Sequence, residues 1–387
     1  MQTTIFNANV FTEDGTFRKG SVTIQGDRIA EINESAPRAE GNSVDAKGGY
    51  LIPGLTDIHF HGCNDHDFCD GTKEAIHGMA KYEASIGVTQ ICPATMTIAE
   101  DKLMTIAQAA ADFQKEASPA ANRESELVGI NMEGPFISRA KKGAQNEAFI
   151  RPADLPMFQR LQETSGGLFK IVDLAVEEPG ALDFIEKCQA LYGDSVRLSI
   201  AHTTADYETA KAAIKAGVSH ITHLYNAMPP FTHRAPGVVG AACEEDKVRP
   251  EMICDGIHVH PAVMKATFKM FGRDRMMVIS DSMRATGLPD GESELGGQKV
   301  YKKGAHATLA DGTLAGSVTH QMDCVRVLVK EQVVSLEDAI YCAAVNPAKQ
   351  IGIYDSYGSI TPGKYANLVL LQPDLTLERV MIRGSFL

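Results

Sequence analysis

His59 and His61 stand two residues apart in the run Pro53-Gly54-Leu55-Thr56-Asp57-Ile58-His59-Phe60-His61-Gly62. Side chains alternate between faces along an extended strand, so histidines at this spacing point to the same side. Neutral imidazoles sharing one face at a strand end can both reach one metal ion. Alone, the pair reads equally well as two solvent-facing histidines. Four further polar residues change that balance. Glu133 follows the apolar run 127–132, His202 follows 197–201, His223 follows 218–222 and Asp281 follows 276–280. Taken singly, Glu133 could pair with a lysine, either histidine could be a hydrogen-bonded core residue, and Asp281 could cap a helix. Taken together, five polar strand ends carrying imidazoles and carboxylates are accounted for more simply by a metal site.

The elements that would position these residues are legible in outline. β-prone apolar runs recur near 55–60, 88–92, 127–132, 170–175, 197–202, 218–223, 251–255 and 276–280. Between most of them lie stretches with helical periodicity, such as 72–85, 100–116, 179–191 and 207–216. Eight strands alternating with helices predict an α/β protein built on a (β/α)8 TIM-like barrel. Catalytic groups in such a barrel project from the carboxyl ends of the strands, where the candidate ligands fall. Both ends of the chain show strand–turn–strand grammar, for example Ser21–Ile24, Gln25-Gly26-Asp27, then Arg28–Ile32. Residues 1–52 and 353–387 are therefore expected to form one small β-sandwich domain, and residues 53–352 the barrel.

Composition narrows the function. The 387-residue chain is 44% hydrophobic, enough for a large core, and carries 37 basic against 49 acidic residues for a net charge of −12. An acidic chain without a basic stripe is a poor partner for nucleic acid or an anionic membrane. The eight cysteines form no C-x-x-C pair and several sit in apolar runs, as in Met252-Ile253-Cys254, so they are expected to be small buried hydrophobes in a reducing compartment. The start of the chain is polar, and no run of about 18 apolar residues occurs. A soluble cytoplasmic protein is expected.

Further segments complete the pattern: Glu133-Gly134-Pro135-Phe136, Lys142-Gly143-Ala144, Ala201-His202-Thr203, His223-Leu224-Tyr225-Asn226-Ala227-Met228, Asp255-Gly256-Ile257-His258, Ser280-Asp281-Ser282 and Gly312-Thr313-Leu314-Ala315-Gly316-Ser317. With Pro53–Gly62 they span nearly the whole chain. They resemble the amidohydrolase superfamily and, within it, the N-acetylglucosamine-6-phosphate deacetylases. The resemblance implies a metal-dependent hydrolase of amino sugar metabolism that releases acetate and glucosamine 6-phosphate. Glu133, His202 and His223 would hold the main metal. His59 and His61 would hold a second, bridged by Glu133, with Asp281 beside them. One or two ions are implied; zinc suits the imidazole and carboxylate donors, as would iron, cobalt or manganese. A metal-activated hydroxide would attack the acetamide, with Asp281 acting as general base and then general acid. Substrate contacts would come from Ala144, Gln145, the Asn226-Ala227 backbone, His258 and Leu314-Ala315-Gly316. Arg234 would reach the phosphate of a neighbouring subunit's site, which implies a homodimer; read alone, Arg234 is a surface arginine in a salt bridge. No lysine falls at the fourth strand end, where other branches of the superfamily carry a carbamylated bridge.

One position departs from the pattern. Many relatives carry histidine after the Lys-Gly-Ala turn, where this chain has Gln145. An amide N–H can donate to a developing oxyanion but carries no charge. Either a second metal polarises the carbonyl or Gln145 only positions the substrate. The presence of His59 and His61 favours the first, so His61→Asn is expected to abolish turnover; an unchanged kcat would refute it. Two competing functions remain. A hydrolase for N-acetylgalactosamine 6-phosphate or another N-acyl compound would use the same centre. A non-catalytic barrel serving as an assembly partner would be expected to have lost ligands or the base, and here all six are present.

Overall fold

The computed structural model describes residues 2–34 and 42–387. Each of the eight β-prone runs overlaps a strand, and these strands are parallel. Six form one sheet in the order Ile130–Met132, Phe169–Leu174, Arg197–Ile200, His220–Ile221, Arg249–Ile253, Met277–Ile279. Leu55–Asp57, Val88–Ile91 and Glu126–Leu127 form a second sheet. A parallel bridge between Ala94 and Asn131 joins the two sheets at one margin. At the other, Asp281 N–H donates to His59 C=O at 2.9 Å. The strands are short and nearly all buried, as parallel strands covered on both faces must be.

Helices follow where the periodicity places them, at Lys73–Ser85, Glu100–Glu116, Ala181–Tyr192 and Tyr207–Ala216. Glu100–Glu116 buries Leu103, Ile106, Ala107, Ala110 and Phe113, a single stripe at helical spacing. Local capping sets two of the starts. The Thr72 side chain accepts from Ala75 N–H, and that of Asp206 accepts from Thr209 N–H.

The two ends of the chain meet in one hydrogen-bonded sheet of eight strands. Its path runs Ser385–Phe386, Leu377–Ile382, Leu368–Leu371, Tyr50–Pro53, Gln2–Phe11, Phe17–Gln25, Arg28–Asn33. The strand Gln2–Phe11 is its hinge. Residues 3–6 pair with Asn42–Asp45, residues 9–10 pair with Tyr50–Leu51, and the register against Phe17–Gln25 shifts between Ile5 and Ala8. An irregularity of this kind bends a strand, so a single sheet can enclose the core of Ile5, Val10, Val22, Ile24, Leu51 and Leu368.

An antiparallel insert lies between the Met277–Ile279 strand and the helix Gln321–Lys330. Its strands are Gly291–Leu295, Gln298–Lys303 and His306–Thr308. Gly296 and Gly297 join the first two with φ of +56° and +80°, the left-handed pair that a two-residue hairpin turn demands. The insert buries only Leu295, Val300 and Ala307, so its alternation is too sparse to mark it in the sequence.

Candidate functional site

His59 and His61 lie beyond the strand Leu55–Asp57 rather than on it. The chain bends at His59, and Ser282 C=O accepts from His61 N–H at 2.7 Å, which ties this segment to the one that carries Asp281. Glu133 follows Met132 directly, and His202, His223 and Asp281 each fall two residues past the end of their strands. Three of these residues share a backbone feature that the sequence does not reveal. His202, His223 and Asp281 have φ of +42°, +29° and +50°. Non-glycine residues rarely adopt this region, at a cost of about 1–3 kcal/mol each, and it turns the chain sharply where each side chain enters the mouth.

Glu133 is the hub. Its Oε1 lies 3.0 Å from His202 Nε2, 3.1 Å from His223 Nε2 and 3.6 Å from His59 Nε2. Its Oε2 lies 3.2 Å from His61 Nε2. Two potential ligand groups therefore share it, His59/His61/Glu133 and Glu133/His202/His223, all buried. Asp281 stands beside the first group, its Oδ1 3.3 Å from His61 Nε2 and 3.8 Å from His59 Nε2.

The residues present suit a divalent metal. His59 Nε2 is buried without a hydrogen-bond partner. Nε2 of His202 and of His223 approach to 3.1 Å, a contact that lone pairs tolerate when both face a cation. Backing groups set the tautomers. His202 Nδ1 donates to Lys141 C=O at 2.8 Å and His59 Nδ1 to Glu251 Oε2 at 2.9 Å, which leaves each Nε2 lone pair facing inward. Electrostatics point the same way. Burial opposes an imidazolium at His61, yet hydrogen bonds to Asp281 and Glu133 outweigh it and push its pKa up to about 10. Burial likewise opposes charge on Glu133, but the four surrounding histidines hold it well below the usual carboxylate range. Two buried carboxylates thus call for positive charge at the centre.

Gln145, which lines the cavity, has a second role that the sequence did not show. Its side chain is buried; Nε2 donates to Glu133 Oε2 at 2.6 Å and Oε1 accepts from Thr97 N–H at 2.7 Å. Both ends of the amide are engaged, so Gln145 braces the hub carboxylate from the cavity wall. Glu251 was not singled out in the sequence and is the main addition. Fully buried inside the strand Arg249–Ile253, it accepts from His59 and, through Oε1, contacts His220 Nε2 at 2.8 Å. His220 Nδ1 in turn accepts from Gln350 Nε2 at 3.0 Å. A lone carboxylate within the run Pro250–Cys254 was the available signal.

The centre opens into a cavity of about 370 Å³. Ala144, Gln145, Asn226, Ala227, His258, Leu314 and Gly316 line it. His258 is held by Asp255, with Nδ1 to Oδ2 at 2.7 Å; burial opposes its protonation, but that hydrogen bond and the charges of Asp255 and Asp281 together outweigh burial and raise its pKa. Lys141, absent from the expected set, also lines the cavity and brings a cation. Two expected residues lie elsewhere. Ala315 does not line the cavity; it is buried with Met283, Leu295 and Ala307, its N–H bonded to Ala307 C=O at 3.0 Å, because the Thr313–Gly316 segment runs beside the insert. Arg234 is exposed on its loop, 2.8 Å from His233 Nε2, and does not reach this chain's own cavity.

The sequence model of the amidohydrolase family matches residues 50–387. An N-acetylglucosamine-6-phosphate deacetylase of Bacillus subtilis (strain 168) is 38% identical over 378 residues, covering 97% of this chain and 94% of the relative. An N-acetylgalactosamine-6-phosphate deacetylase of Escherichia coli O157:H7 is 32% identical, covering 87% of each chain. Among solved structures, N-acetyl-D-glucosamine-6-phosphate deacetylase from Mycobacterium smegmatis superposes with a TM-score of 0.91 at 29% identity, covering 100% of both chains.

Proposed function

This chain belongs to the amidohydrolase family, and on that premise we propose that it hydrolyses the acetamide of N-acetylglucosamine 6-phosphate to glucosamine 6-phosphate and acetate. The observation that carries the proposal is Glu133 shared between two histidine pairs, with Asp281 beside them, at one end of a cavity that also holds Lys141 and His258. In this reading the parallel strands form a (β/α)8 barrel over residues 53–352. The pooled ends, 1–52 and 353–387, form the small β-domain.

His59, His61, Glu133, His202 and His223, with Asp281 beside them, would hold one or two divalent ions, zinc being the proposed metal. When bound, such an ion polarises the acetamide carbonyl and lowers the pKa of water. The chain's own groups handle the proton and the substrate. Asp281 takes the proton from the attacking water as the new C–O bond forms. It then delivers that proton to the sugar nitrogen as the C–N bond breaks, since an amine must be protonated to leave. Gln145 keeps the Glu133 carboxylate oriented throughout. Lys141, His258 and the Asn226-Ala227 segment lie along the cavity, where they would meet the anionic end of the substrate. Arg234 would complete the phosphate site from a second copy of the chain, as a homodimer. Guanidinium binds phosphate bidentately, which a lysine does not reproduce.

Among the described residues no helix is long and apolar enough to cross a membrane, and the enzyme is proposed to work in the cytoplasm. A second reading, N-acetylgalactosamine 6-phosphate as substrate, is favoured by the E. coli relative and would use the same centre. The test is acetate release by zinc-loaded protein from both sugar phosphates and from unphosphorylated N-acetylglucosamine. Strong preference for N-acetylglucosamine 6-phosphate is expected, and Arg234→Lys should lower kcat/KM for it by about tenfold or more, a charge-assisted hydrogen bond being worth roughly 1.5–3 kcal/mol. Equal release with and without phosphate would remove the phosphate assignment. No release from any of the three by metal-loaded protein would refute the proposal.

A further inference from the structure

The cavity has one apolar end. Met96 and Leu295 line it and are 1% and 2% exposed. Leu314, the other large apolar residue on the wall, is 37% exposed and so belongs to the rim. Met96 sits against the catalytic centre, its Sδ 3.6 Å from Gln145 Nε2, which in turn holds Glu133. Leu295 reaches the cavity from the inserted hairpin. The turn of that hairpin presses on Met96, for a Cβ built on Gly296 would stand 3.0 Å from Met96 Cε. Gln298, just past the turn, bonds to Ala144 C=O and ties the hairpin to the Lys142-Gly143-Ala144 loop.

An N-acyl sugar phosphate has two unlike ends on either side of its amide. The sugar and phosphate need polar and cationic partners, and Lys141, Asn226 and His258 supply them. The acyl methyl needs a dry apolar wall close to the carbonyl carbon. Only Met96 and Leu295 are both large, apolar and buried within this cavity. We infer that Met96 and Leu295 form the acyl-binding wall, and that the inserted hairpin thereby limits the substrate to an acetyl group. This rests on the deacetylase reading and adds the acyl-length specificity of the same site.

The test compares metal-loaded wild type, Met96→Ala and Leu295→Ala on N-acetyl, N-propionyl and N-butyryl glucosamine 6-phosphate. Wild type is expected to lose about 10–200-fold in kcat/KM for each added methylene that the wall refuses. Both alanine variants should shrink the acetyl-to-butyryl ratio by at least tenfold, mainly by gaining activity on the butyryl compound. Met96→Leu conserves volume and should keep the wild-type ratio, which separates wall shape from a disturbance of Gln145. Metal content and Tm of each variant report folding. Titration of the same proteins with acetate, propionate and butyrate reads the wall without turnover, with tighter butyrate binding expected only in the alanine variants. If wild type hydrolyses none of the three sugars, the deacetylase reading fails, and the carboxylate series still decides the wall. Variants with a wild-type acyl ratio and a wild-type carboxylate order would overturn the inference.

Discussion

Asp281→Asn is expected to lower kcat by about 10²–10⁴-fold, the usual range for loss of a positioned general acid–base. Asparagine keeps the shape and hydrogen-bonding reach of the carboxylate but cannot accept the proton. It also suits the backbone. Asp281 has φ of +50°, a region that asparagine tolerates better than most residues, so the strand end should hold its turn. The five remaining ligand candidates, His59, His61, Glu133, His202 and His223, are untouched, so metal content should stay near that of wild type. A loss of kcat at near-normal metal content and KM is the expected pattern. A kcat within tenfold of wild type would remove Asp281 from the proton-transfer role.

Loss of Glu251 is expected to reach the metal through His59. Its carboxylate is fully buried, and it faces His59 Nδ1 at 2.9 Å and His220 Nε2 at 2.8 Å. Burial would raise its pKa, but electrostatic attraction to, and hydrogen bonds from, His59 and His220 outweigh it and hold it at about 2. Glu251→Gln retains size but loses the charge that raises the basicity of His59. Supporting partners of this kind contribute about 10–100-fold in metal affinity, which competition with a chromophoric chelator would measure. Glu251→Ala leaves His59 Nδ1 and His220 Nε2 without their carboxylate in the interior, and breaking a buried pair in this way costs about 3–5 kcal/mol of stability, readable by denaturant titration. Since Glu251 does not line the cavity, KM at saturating metal should change little. Unchanged metal affinity in Glu251→Gln would mean that the carboxylate serves packing alone.

The candidate ligand residues were legible because each lies next to a run whose composition marks it as a strand. Apolar runs and helical stripes depend on neighbours within a few residues, so the strand and helix positions followed from them. Gln145 and Glu251 were not legible in their roles, because their partners are distant in the chain. Glu251 meets His59 across 192 residues and Gln145 braces Glu133 across 12. The resemblance placed Gln145 at the substrate, and it does line the cavity. Its hold on Glu133 and Thr97 was not legible, because a buried amide takes whatever partners the fold brings to it. Ala315 was placed in the substrate set by a motif, but the insert packs against it and takes it into the core.

The amino-acid sequence by itself determined the chemistry: six imidazole and carboxylate residues at five of the eight strand ends, in an order and spacing that resemble a deacetylase. These features are local, set by residue type and by the period of each element. The tertiary structure alone decided how the site is held and shaped: Gln145 bracing Glu133, Glu251 behind His59, and Met96 under the hairpin. Such contacts depend on which distant side chains the packed sheets bring within 3–4 Å, and no local period encodes that.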